Sequence, residues 1–346
     1  MQRTSVRTTS FDVAALAGVS QSAVSRAFTP GSSIKETTRQ KILEAARKLN
    51  YVPNSIASSL TTNRSNMVAL ILGNLHNPFY VHVLESFSFD LQRIGRQALT
   101  FALGDGISTD DAIMKVLQYQ VEAVILTSAQ LSTRMVNLCQ DRGIPVALFN
   151  RYIPYSGAYG VRCDNVGGGR MIAEAFLAAG AKTFMMITGD PTGTTSQDRV
   201  RGFTERLLEE GIRRDQIVEY AGGSTYEGGA AAIDRHVSSG RAIPDAIFGI
   251  ADIMAMGAMD TLRLRYGQRI PEDVMVAGFD GIPESGRPPY QLTTVGQPLN
   301  AMVTETIKLL QLEKSEKEFL PSQDLAFPGE MIWRSTIPRP TEEPAG

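Results

Sequence analysis

A short polar segment near the amino terminus carries side chains that can hydrogen-bond to nucleic acid. Gln21 can pair with the edge of adenine and Arg26 with the edge of guanine, and Ser22 lies between them. Ser20 and Ser25 are short hydroxyl donors suited to phosphate oxygens. The segment therefore has the chemistry of a surface that reads a DNA sequence.

The elements around this segment predict how it is positioned. Thr9 followed by Asp12 is typical of a helix N-terminus, which predicts a first helix over about 10–17. Gly18 then breaks the chain before a second helix over about 21–28. Two short helices joined by a glycine-containing turn form a helix-turn-helix, whose second helix enters the major groove of DNA.

Two further segments follow before the composition changes. A third amphipathic helix, expected to close a three-helix core, is predicted from apolar residues at helical spacing: Ile42, Leu43, Ala46 and Leu49. Asn54 can cap a short segment over 55–61, in which Ile56, Ala57 and Leu60 lie on neighbouring faces.

Charge divides the chain into a basic head and an acidic body. Residues 1–64 hold nine basic and three acidic side chains, a net charge of +6. The rest of the chain holds 25 basic and 33 acidic side chains, a net charge of −8. Such a split favours a nucleic-acid-binding module attached to a domain that does not contact phosphate, although charge alone leaves a solvated helical surface as the alternative.

Several runs in the head resemble the lactose/galactose-repressor family of bacterial transcription factors. They are Asp12-Val13-Ala14, Ala17-Gly18-Val19-Ser20, Val24-Ser25-Arg26, Asn50-Tyr51-Val52-Pro53-Asn54 and Ile56-Ala57 with Leu60. The resemblance implies that Gln21, Ser22 and Arg26 read bases, and that Ser20 and Ser25 contact the DNA backbone.

By the same resemblance, 54–61 is a hinge helix that orders on operator binding. Its residues expected at the DNA are Asn54, Ala57 and Leu60, with Leu60 wedged between bases in the minor groove. For Leu60 taken by itself, a small hydrophobic contact in a linker is the alternative. Two positions depart from the family pattern: Lys35 stands where a serine usually caps the third helix, and Ser58 where a basic residue is common.

From Met67 onward, apolar strands alternate with amphipathic helices. Strands are predicted at 68–72, 97–103, 123–127, 145–149, 184–187, 246–250 and 274–278. This alternation predicts an α/β body of right-handed βαβ units on parallel sheets, with ligands gathered at the carboxyl ends of the strands. Because roughly 270 residues are many for one doubly wound sheet, two lobes are expected.

The body resembles the same family, so the resemblance covers nearly the whole chain. The matching pieces are Asn77-Pro78-Phe79, Asp164-Asn165 before Gly167-Gly168-Gly169, Arg199-Val200-Arg201-Gly202-Phe203, Gly257-Ala258-Met259, Gly278-Phe279-Asp280 and Gln297-Pro298. They imply a two-lobed, periplasmic-binding-protein-like effector domain with the ligand in the cleft between the lobes. The implied domains are a helix-turn-helix domain at 1–53, a hinge and linker at 54–66, and an effector-binding and dimerisation domain at 67–340. Within the last domain, lobe 1 is expected at about 67–163 and 296–325, and lobe 2 at about 164–294 and 326–340.

Arg199 and Asp280 are the main candidates for effector binding. Arg199 lies where the family keeps an arginine that grips ligand hydroxyls or a carboxylate, and Asp280 matches an acid in the same cleft. A guanidinium fork and paired carboxylate oxygens suit a polyhydroxylated ligand. The alternatives are a salt bridge on a helix surface for Arg199 and a loop cap for Asp280. Further side chains at strand ends could add a hydrogen bond or an apolar wall: Asn77, Phe79, Asn150 and Arg151.

Two departures in the body bear on the effector. Ala251 stands where an asparagine often contacts sugar, and Ser224 stands where some relatives have a stacking aromatic residue. A sugar derivative such as a sugar acid is therefore kept beside a plain sugar as the expected effector. Asp252 is expected to cap the following helix rather than to contact the ligand.

Motifs of common enzymes are absent from the sequence. The run at 167–169 would need glycine where Ile172 stands to make a dinucleotide site, and 189–193 has no lysine to complete a phosphate-binding loop. No G-x-S-x-G elbow or zinc spacing is present, and the histidines are expected to be polar surface or cleft residues: His76, His82 and His236. No catalytic residue, metal or cofactor is expected; the alternative functions are a sugar-binding protein or an α/β enzyme without a DNA role.

The composition limits the class of protein and the compartment that can be expected. The chain has 346 residues, 43% of them hydrophobic and 20% charged, which is an ordinary globular balance. No apolar run approaches the roughly 20 residues of a membrane-spanning helix, and no secretory signal is readable, so a cytoplasmic protein is expected. The two cysteines, Cys139 and Cys163, fit a reducing compartment and are expected to be buried.

The expected assembly is a homodimer on a pseudo-palindromic operator, because one helix-turn-helix reads too few base pairs for specificity. Only six residues follow Pro340, too few for a heptad tail that would make a tetramer. The expected mechanism is a coupling in which the effector changes lobe closure and thereby orders or melts the two hinge helices.

Overall fold

The computed structural model describes residues 8–29, 31–53, 65–104, 106–127, 131–153, 156–312 and 323–339. The chain divides into two compact units, Met1–Asn66 and Met67–Gly346. Among the described residues, no helix is long and apolar enough to cross a lipid bilayer.

The described part of the smaller unit contains three helices: α1 (Ser10–Ala17), α2 (Gln21–Phe28) and α3 (Glu36–Lys48). The predicted start of α1 is confirmed, because the Thr9 hydroxyl accepts from the Asp12 backbone N–H while the Asp12 carboxylate accepts from the Thr9 N–H. Gly18 ends α1 in the left-handed conformation, with φ +67°. Lys35 precedes α3 without a side-chain capping bond, as expected from its residue type.

These helices enclose a small apolar core. The fully buried residues Val13, Val24 and Ile42 contribute one side chain from each helix. Phe28 packs edge-on against Tyr51, with ring centroids 5.9 Å apart. Because Val24 faces this core, the opposite side of α2 is presented to solvent.

The described residues of the larger unit form two six-stranded sheets. The first has the order β11-β5-β4-β3-β1-β2 with every neighbouring pair parallel. Its strands are β1 (Met67–Leu72), β2 (Gln97–Ala102), β3 (Ala123–Leu126), β4 (Val146–Phe149), β5 (Tyr159–Cys163) and β11 (Asp324–Phe327). Helices α4 (Pro78–Arg93), α5 (Thr109–Val116), α6 (Thr133–Asp141) and α11 (Leu299–Leu309) pack around it. This sheet with its helices is called the first lobe.

The second sheet has the order β12-β10-β9-β8-β6-β7, in which only the β10–β12 pair is antiparallel. Its strands are β6 (Phe184–Thr188), β7 (Ile217–Ala221), β8 (Ala246–Gly249), β9 (Met275–Asp280), β10 (Thr293–Gly296) and β12 (Glu330–Ile332). Helices α7 (Asn165–Ala178), α8 (Thr194–Glu209), α9 (Tyr226–Ser238) and α10 (Asp252–Tyr266) complete the second lobe.

Burial on both faces explains why the central strands are continuous apolar runs. In β1, Val68 and Leu70 face one hydrophobic cluster, while Ala69 and Ile71 face another.

All seven predicted strands are found, within two residues at each end. Five strands were not predicted: β5, β7, β10, β11 and β12. The last two are short, and after Ile217 the strand β7 alternates partly buried and exposed residues, so no long apolar run marks them.

The chain passes between the lobes three times, because β1 to β5 and β11 lie in the first sheet while β6 to β10 and β12 lie in the second. The passages fall at Asp164, at Gln297-Pro298 and at Pro328-Gly329.

Both cysteines are buried as expected, and burial raises the pKa of Cys139 to about 11 and that of Cys163 to about 12.

Candidate functional site

The predicted base-reading and backbone-contacting residues of the head share one exposed surface. Ser20 caps α2 by accepting from the Ala23 N–H at 3.3 Å, which fixes the start of the helix. The five side chains at this surface are all exposed: Ser20, Gln21, Ser22, Ser25 and Arg26. A helix whose buried side holds Val24 and whose outer side holds these polar groups can be presented to DNA.

Local hydrogen bonds partly order this surface before any partner is present. The Ser20 and Ser22 hydroxyls lie 2.9 Å apart, and the Gln21 amide donates to the Ser10 hydroxyl at 3.2 Å. The predicted DNA contacts at Asn54, Ala57 and Leu60 lie outside the residues that the structure describes.

All six residues named from the sequence as candidates for effector binding, Arg151 among them, line one cavity between the lobes of the larger unit. Asn77 caps α4 after β1 and Phe79 lies in the first turn of that helix. Asn150 follows β4 in the first lobe, whereas Arg199 on α8 and Asp280 at the end of β9 belong to the second. The carboxyl ends of parallel strands meet at this edge in both lobes, which is why residues far apart in sequence come together.

Arg199 is held by a dense set of contacts rather than exposed on a helix surface. It is 4% exposed, and its Nε donates to Asn165 Oδ1 at 2.9 Å. Its Nη1 donates to the Ile250 carbonyl oxygen at 2.6 Å and to Asp280 Oδ1 at 3.0 Å. The guanidinium stacks on the Phe279 ring, with Cζ 3.7 Å from the centroid. The alternative of a surface salt bridge is therefore wrong.

One guanidinium nitrogen of Arg199 has no hydrogen-bond partner in the described part of the chain. Arg199 Nη2 and Asn150 Oδ1 are buried and lack a hydrogen-bond partner among the described residues. A donor and an acceptor left unpaired beside the same cavity are costly unless something pairs with them. Both are complementary to hydroxyl groups, which donate and accept.

Asp280 is shared by both lobes. Its Oδ1 accepts from Arg199 Nη1 and from Gln297 Nε2 at 2.7 Å, and its Oδ2 accepts from Asn77 Nδ2 at 3.1 Å. Burial raises the pKa of this carboxyl group, while Arg199, Asn77 and Gln297 oppose the shift. Asp280 also has φ +124°, a backbone conformation unusual for a residue with a side chain.

Three polar contacts among the described residues join the lobes, two of them at the cavity and one, His82–Glu284, outside its lining. Besides the Asn77–Asp280 bond, the Thr195 hydroxyl of α8 donates to the Asn150 carbonyl oxygen at 2.7 Å. His82 Nε2 on α4 lies 3.4 Å from Glu284 Oε2 of the second lobe. The enclosed volume is about 50 Å³, well below the roughly 300–1,000 Å³ of pockets that hold small molecules. The cleft is closed in this structure, so a ligand of sugar size needs the lobes to separate.

Close helix packing sets the position of Arg199. A Cβ atom on Gly169 of α7 would lie 2.4 Å from the Arg199 carbonyl oxygen, and one on Gly202 would lie 2.1 Å from the Val166 carbonyl oxygen. Glycine at both points lets α7 and α8 approach backbone to backbone. The run at 167–169 is thus a packing feature inside a helix, consistent with its rejection as a dinucleotide site.

Asp252 was expected to cap α10, and this prediction is wrong. Ala251 holds the cap position without a capping bond, and the fully buried Asp252 carboxylate instead accepts from the Ile282 N–H at 2.9 Å and the Thr294 hydroxyl at 2.5 Å. Burial and the neighbouring Asp280 carboxylate raise the pKa of Asp252 to about 7. The position of β10 beside β9 decides this role, and the local sequence carries no sign of it.

His236 was expected at the surface or in the cleft, and it lies in neither place. It is 3% exposed, its Nε2 lies 2.8 Å from the Ala242 carbonyl oxygen, and its ring meets Tyr220 edge-on. His76 is exposed, and His82 belongs to the interlobe contact described above.

Sequence reasoning missed the supporting residues of the site. Asn165 and Gln297 hold Arg199 and Asp280, yet both lie at points where the chain crosses between lobes. Their position at the crossings was the available signal. Within the described ranges, no group of three or more His, Cys, Asp or Glu side chains could hold a metal ion.

Two protein-family models match the chain. The model described as bacterial regulatory proteins, lacI family, matches residues 11–54, and a periplasmic binding protein-like domain matches residues 173–337.

Curated relatives align with most of the chain. The HTH-type transcriptional regulator CelR of Thermobifida fusca is 30% identical over 307 residues, covering 86% of this chain and 89% of the relative. The HTH-type transcriptional regulator DegA of Bacillus subtilis is 30% identical over 340 residues, covering 96% and 99%. Both relatives are transcriptional regulators rather than enzymes.

Solved structures share the fold. The lac repressor dimer bound to operator and an anti-inducer has a TM-score of 0.81 at 22% identity, covering 96% of this chain and 99% of that chain. The CelR–cellobiose complex has a TM-score of 0.66 at 27% identity, covering 95% and 100%. The two curated relatives at 30% identity, together with the two domain matches, show that the chain belongs to the lacI family of bacterial regulatory proteins, which are DNA-binding transcriptional regulators.

Proposed function

We propose that this protein is a repressor that binds a pseudo-palindromic operator as a homodimer and is controlled by a sugar or sugar derivative in the interlobe cleft. Because it acts on the chromosome, it works in the cytoplasm. The observation that carries the proposal is the buried Arg199 guanidinium, whose Nη2 has no partner among the described residues, set in an interlobe cavity of a chain that also has a helix-turn-helix head.

The exposed side of α2 supports the DNA-binding half. Gln21, Ser22 and Arg26 read base edges, while Ser20 and Ser25 hold the backbone and thus set the register of the helix. The net charge of +6 on residues 1–64 adds the nonspecific attraction to phosphate. The related lac repressor structure is a dimer bound to operator, and a two-fold dimer would double the number of base pairs read.

The hinge part of the proposal rests on the family resemblance. The resemblance implies that Asn54 begins a hinge helix on operator binding, that Ala57 contacts the minor groove, and that Leu60 inserts between base pairs at the centre of the operator. Replacing Leu60 with alanine is expected to weaken specific binding and reduce DNA bending while sparing nonspecific binding. An equal loss on random DNA would exclude the wedge.

The cleft supports the effector half. Arg199 Nη2 and Asn150 Oδ1 offer one donor and one acceptor to ligand hydroxyls, and Phe79 offers an apolar wall. Related regulators have been solved with bound cellobiose, ribose, sucrose and glucose. Since none of these sugars fits the closed cavity, binding must lengthen or break the contacts that join the lobes.

Because the lobes must separate for a sugar to bind, effector binding can be coupled to DNA binding. A ligand that favours an open cleft acts against the Asn77–Asp280 and Thr195–Asn150 contacts. The expected result of the lobe movement is that the two hinge helices of the dimer are ordered or melted. Reciprocity requires that DNA change the affinity for effector by the same factor.

Selection of bound duplexes from a random DNA pool by the full-length protein, at two salt concentrations, tests the DNA half. The expected result is a pseudo-palindrome with a flexible central step. Sequence-independent binding that disappears at higher salt would contradict it. Operator release is then measured by fluorescence anisotropy with ribose, glucose, sucrose and cellobiose. Arg199→Ala is expected to bind operator normally and to lose the response; an unchanged response would refute the cleft assignment.

A further inference from the structure

Arg151 lies at the same cleft and is not used by the contacts described so far. It follows β4 in the first lobe, and its Nε donates to the Thr127 carbonyl oxygen at 2.7 Å. Its guanidinium reaches across to the second lobe, since a Cβ atom on Gly193 would lie 2.6 Å from Arg151 Nη1. Within the described part of the chain it forms no ion pair within 4.0 Å. A partly buried cation therefore borders the cavity, and no described carboxylate pairs with it.

Two acidic side chains line the cavity, Asp190 and Asp280, and neither forms an ion pair with Arg151. Asp280 accepts from Arg199, Gln297 and Asn77, so its charge is used by Arg199 and not by Arg151. Asp190 is exposed, and its Oδ1 accepts from both the backbone N–H and the hydroxyl of Thr192. Both donors to Asp190 are neutral, so this carboxylate keeps its charge, but it forms no ion pair with Arg151 within 4.0 Å. Among the described residues, the Arg151 guanidinium therefore has no counterion in contact with it.

The start of α8 adds to this positive field. The helix runs over sixteen residues, Thr194–Glu209, and Gly193 at its cap position provides no side-chain acceptor for the first backbone N–H groups. The positive end of the helix dipole thus lies close to the Arg151 guanidinium, and both groups favour an anion. Ser196 in the first turn of α8 and Ser224 of the second lobe also line the cavity.

Unpartnered buried groups in the same cavity point to a ligand. Arg199 is 4% exposed and Asn150 is 2% exposed, yet Arg199 Nη2 and Asn150 Oδ1 have no hydrogen-bond partner among the described residues. These two atoms can donate to and accept from ligand hydroxyls, whereas Arg151 and the α8 terminus can bind a charged group.

We propose that the effector is anionic: it carries a carboxylate or phosphate group that binds between the Arg151 guanidinium and the N-terminus of α8, while its hydroxyls pair with Arg199 Nη2 and Asn150 Oδ1. The proposal rests on the assignment of the cleft as the effector site. Arg151 comes from one lobe and α8 from the other, so this anion bridges the lobes and its binding depends on their separation.

The test compares matched neutral and anionic ligands on the full-length protein. The probes are glucose with gluconate, glucuronate and glucose 6-phosphate, ribose with ribose 5-phosphate, and galactose with galacturonate. Isothermal titration calorimetry is expected to show that at least one anionic compound binds about tenfold or more tightly than its neutral counterpart, with affinity falling as salt rises. The sugar acids and the phosphosugars separate the two sources of the charge.

Variants assign the effect to Arg151. Arg151→Gln is expected to lower affinity for the anionic compound about tenfold or more, and to leave affinity for the neutral sugar within about twofold. Arg151→Lys keeps the charge and should retain part of the preference. Arg213→Gln is the matched control, because Arg213 is exposed and pairs with Asp215 at 3.0 Å away from the cleft.

The outcomes separate the two proposals. Neutral sugars that bind and release operator, with no anionic compound preferred, would overturn the anionic effector and leave the regulator proposal standing. An anionic preference that Arg151→Gln does not change would equally overturn it. If no probe of either kind binds, the anionic effector fails and the sugar-controlled regulator fails with it, whereas operator selection by the head is unaffected.

Discussion

Asn77 at the start of α4 in the first lobe and Asp280 at the end of β9 in the second lobe are joined by a hydrogen bond of 3.1 Å. The same carboxylate holds Arg199 at 3.0 Å. One acid therefore neutralises the buried guanidinium and also joins the lobes. Any ligand that competes for Asp280 or Arg199 acts directly on lobe closure.

Replacing Asp280 and replacing Arg199 should change the stability of the protein in different ways. Asp280→Asn leaves a guanidinium that is 4% exposed without a counterion, and an arginine side chain cannot lose its proton. We expect a loss of about 3–5 kcal/mol in the free energy of unfolding, with little dependence on pH. Arg199→Met leaves instead a buried carboxylate, which can take up a proton.

In Arg199→Met, the pKa of Asp280 should rise further, because burial already raises it and the opposing cation is gone. The folded protein then binds a proton that the unfolded chain releases, so stability falls as pH rises above the ordinary carboxyl value. The variant should be closer to the wild type at pH 5 than at pH 8. Thermal melting of both variants across this range checks the difference; parallel curves would show that the pair is not the cause.

Asp252 should make the protein less stable as pH rises from about 4 to about 7. The unfolded carboxyl group ionises near 3.8, whereas the folded one, with its pKa raised to about 7, still holds its proton in that window. The folded state therefore binds more protons there, and raising the pH favours unfolding. Asp252→Asn imitates the protonated acid, because its oxygen can accept from the Ile282 N–H and its amide can donate to the Thr294 hydroxyl.

The variant should accordingly gain melting temperature relative to the wild type between pH 5 and pH 8. Differential scanning calorimetry at several pH values measures this gain. A constant difference over the whole range would mean that Asp252 does not titrate in that interval.

Gly169→Ala should disrupt the contact between α7 and α8. The added methyl group would meet the Arg199 carbonyl oxygen at 2.4 Å and the Phe203 backbone nitrogen at 2.9 Å, both of which are main-chain atoms. We expect a loss of about 1–3 kcal/mol in the free energy of unfolding, together with weaker effector binding because Arg199 moves with α8. Gly104→Ala is the matched control, since a Cβ atom there has no described neighbour within 4 Å. Equal melting temperatures for the two variants would contradict this packing account.

Arg26→Ala should alter operator choice rather than binding in general. The side chain is exposed on the outer side of α2, so its removal spares the core formed around Val24. We expect a loss of about 1–3 kcal/mol in binding free energy and relaxed preference at one base position. Ser25→Ala, which removes an expected backbone contact, should weaken binding to all sequences alike. Selection from a random pool compares the two variants, and an unchanged motif for Arg26→Ala would exclude base reading.

Local signals in the sequence determined the head. The Thr9–Asp12 capping box, the glycine turn at Gly18 and the serine cap at Ser20 each act within a few residues, so α1 and α2 are found at the predicted bounds. The central strands were equally clear, because burial on both faces requires continuous apolar runs such as that of β1. The edge strands β7, β11 and β12 are not buried on both faces, so their sequences contain no continuous apolar run that would predict them.

Only the tertiary structure decided which polar groups pair. The sequence indicated Arg199 and Asp280 as separate candidates, but 81 positions separate them. Their ion pair depends on the order of β6, β8 and β9 in the second sheet, because Arg199 lies on the helix that follows β6. The same holds for Asp252, whose partners come from β10 and from the turn after β9, and for Arg151, which meets the start of α8 only because the lobes close. Periodicity and capping are local properties of a chain, whereas the pairing and the charge balance of a cleft arise from segments that only the folded topology brings together.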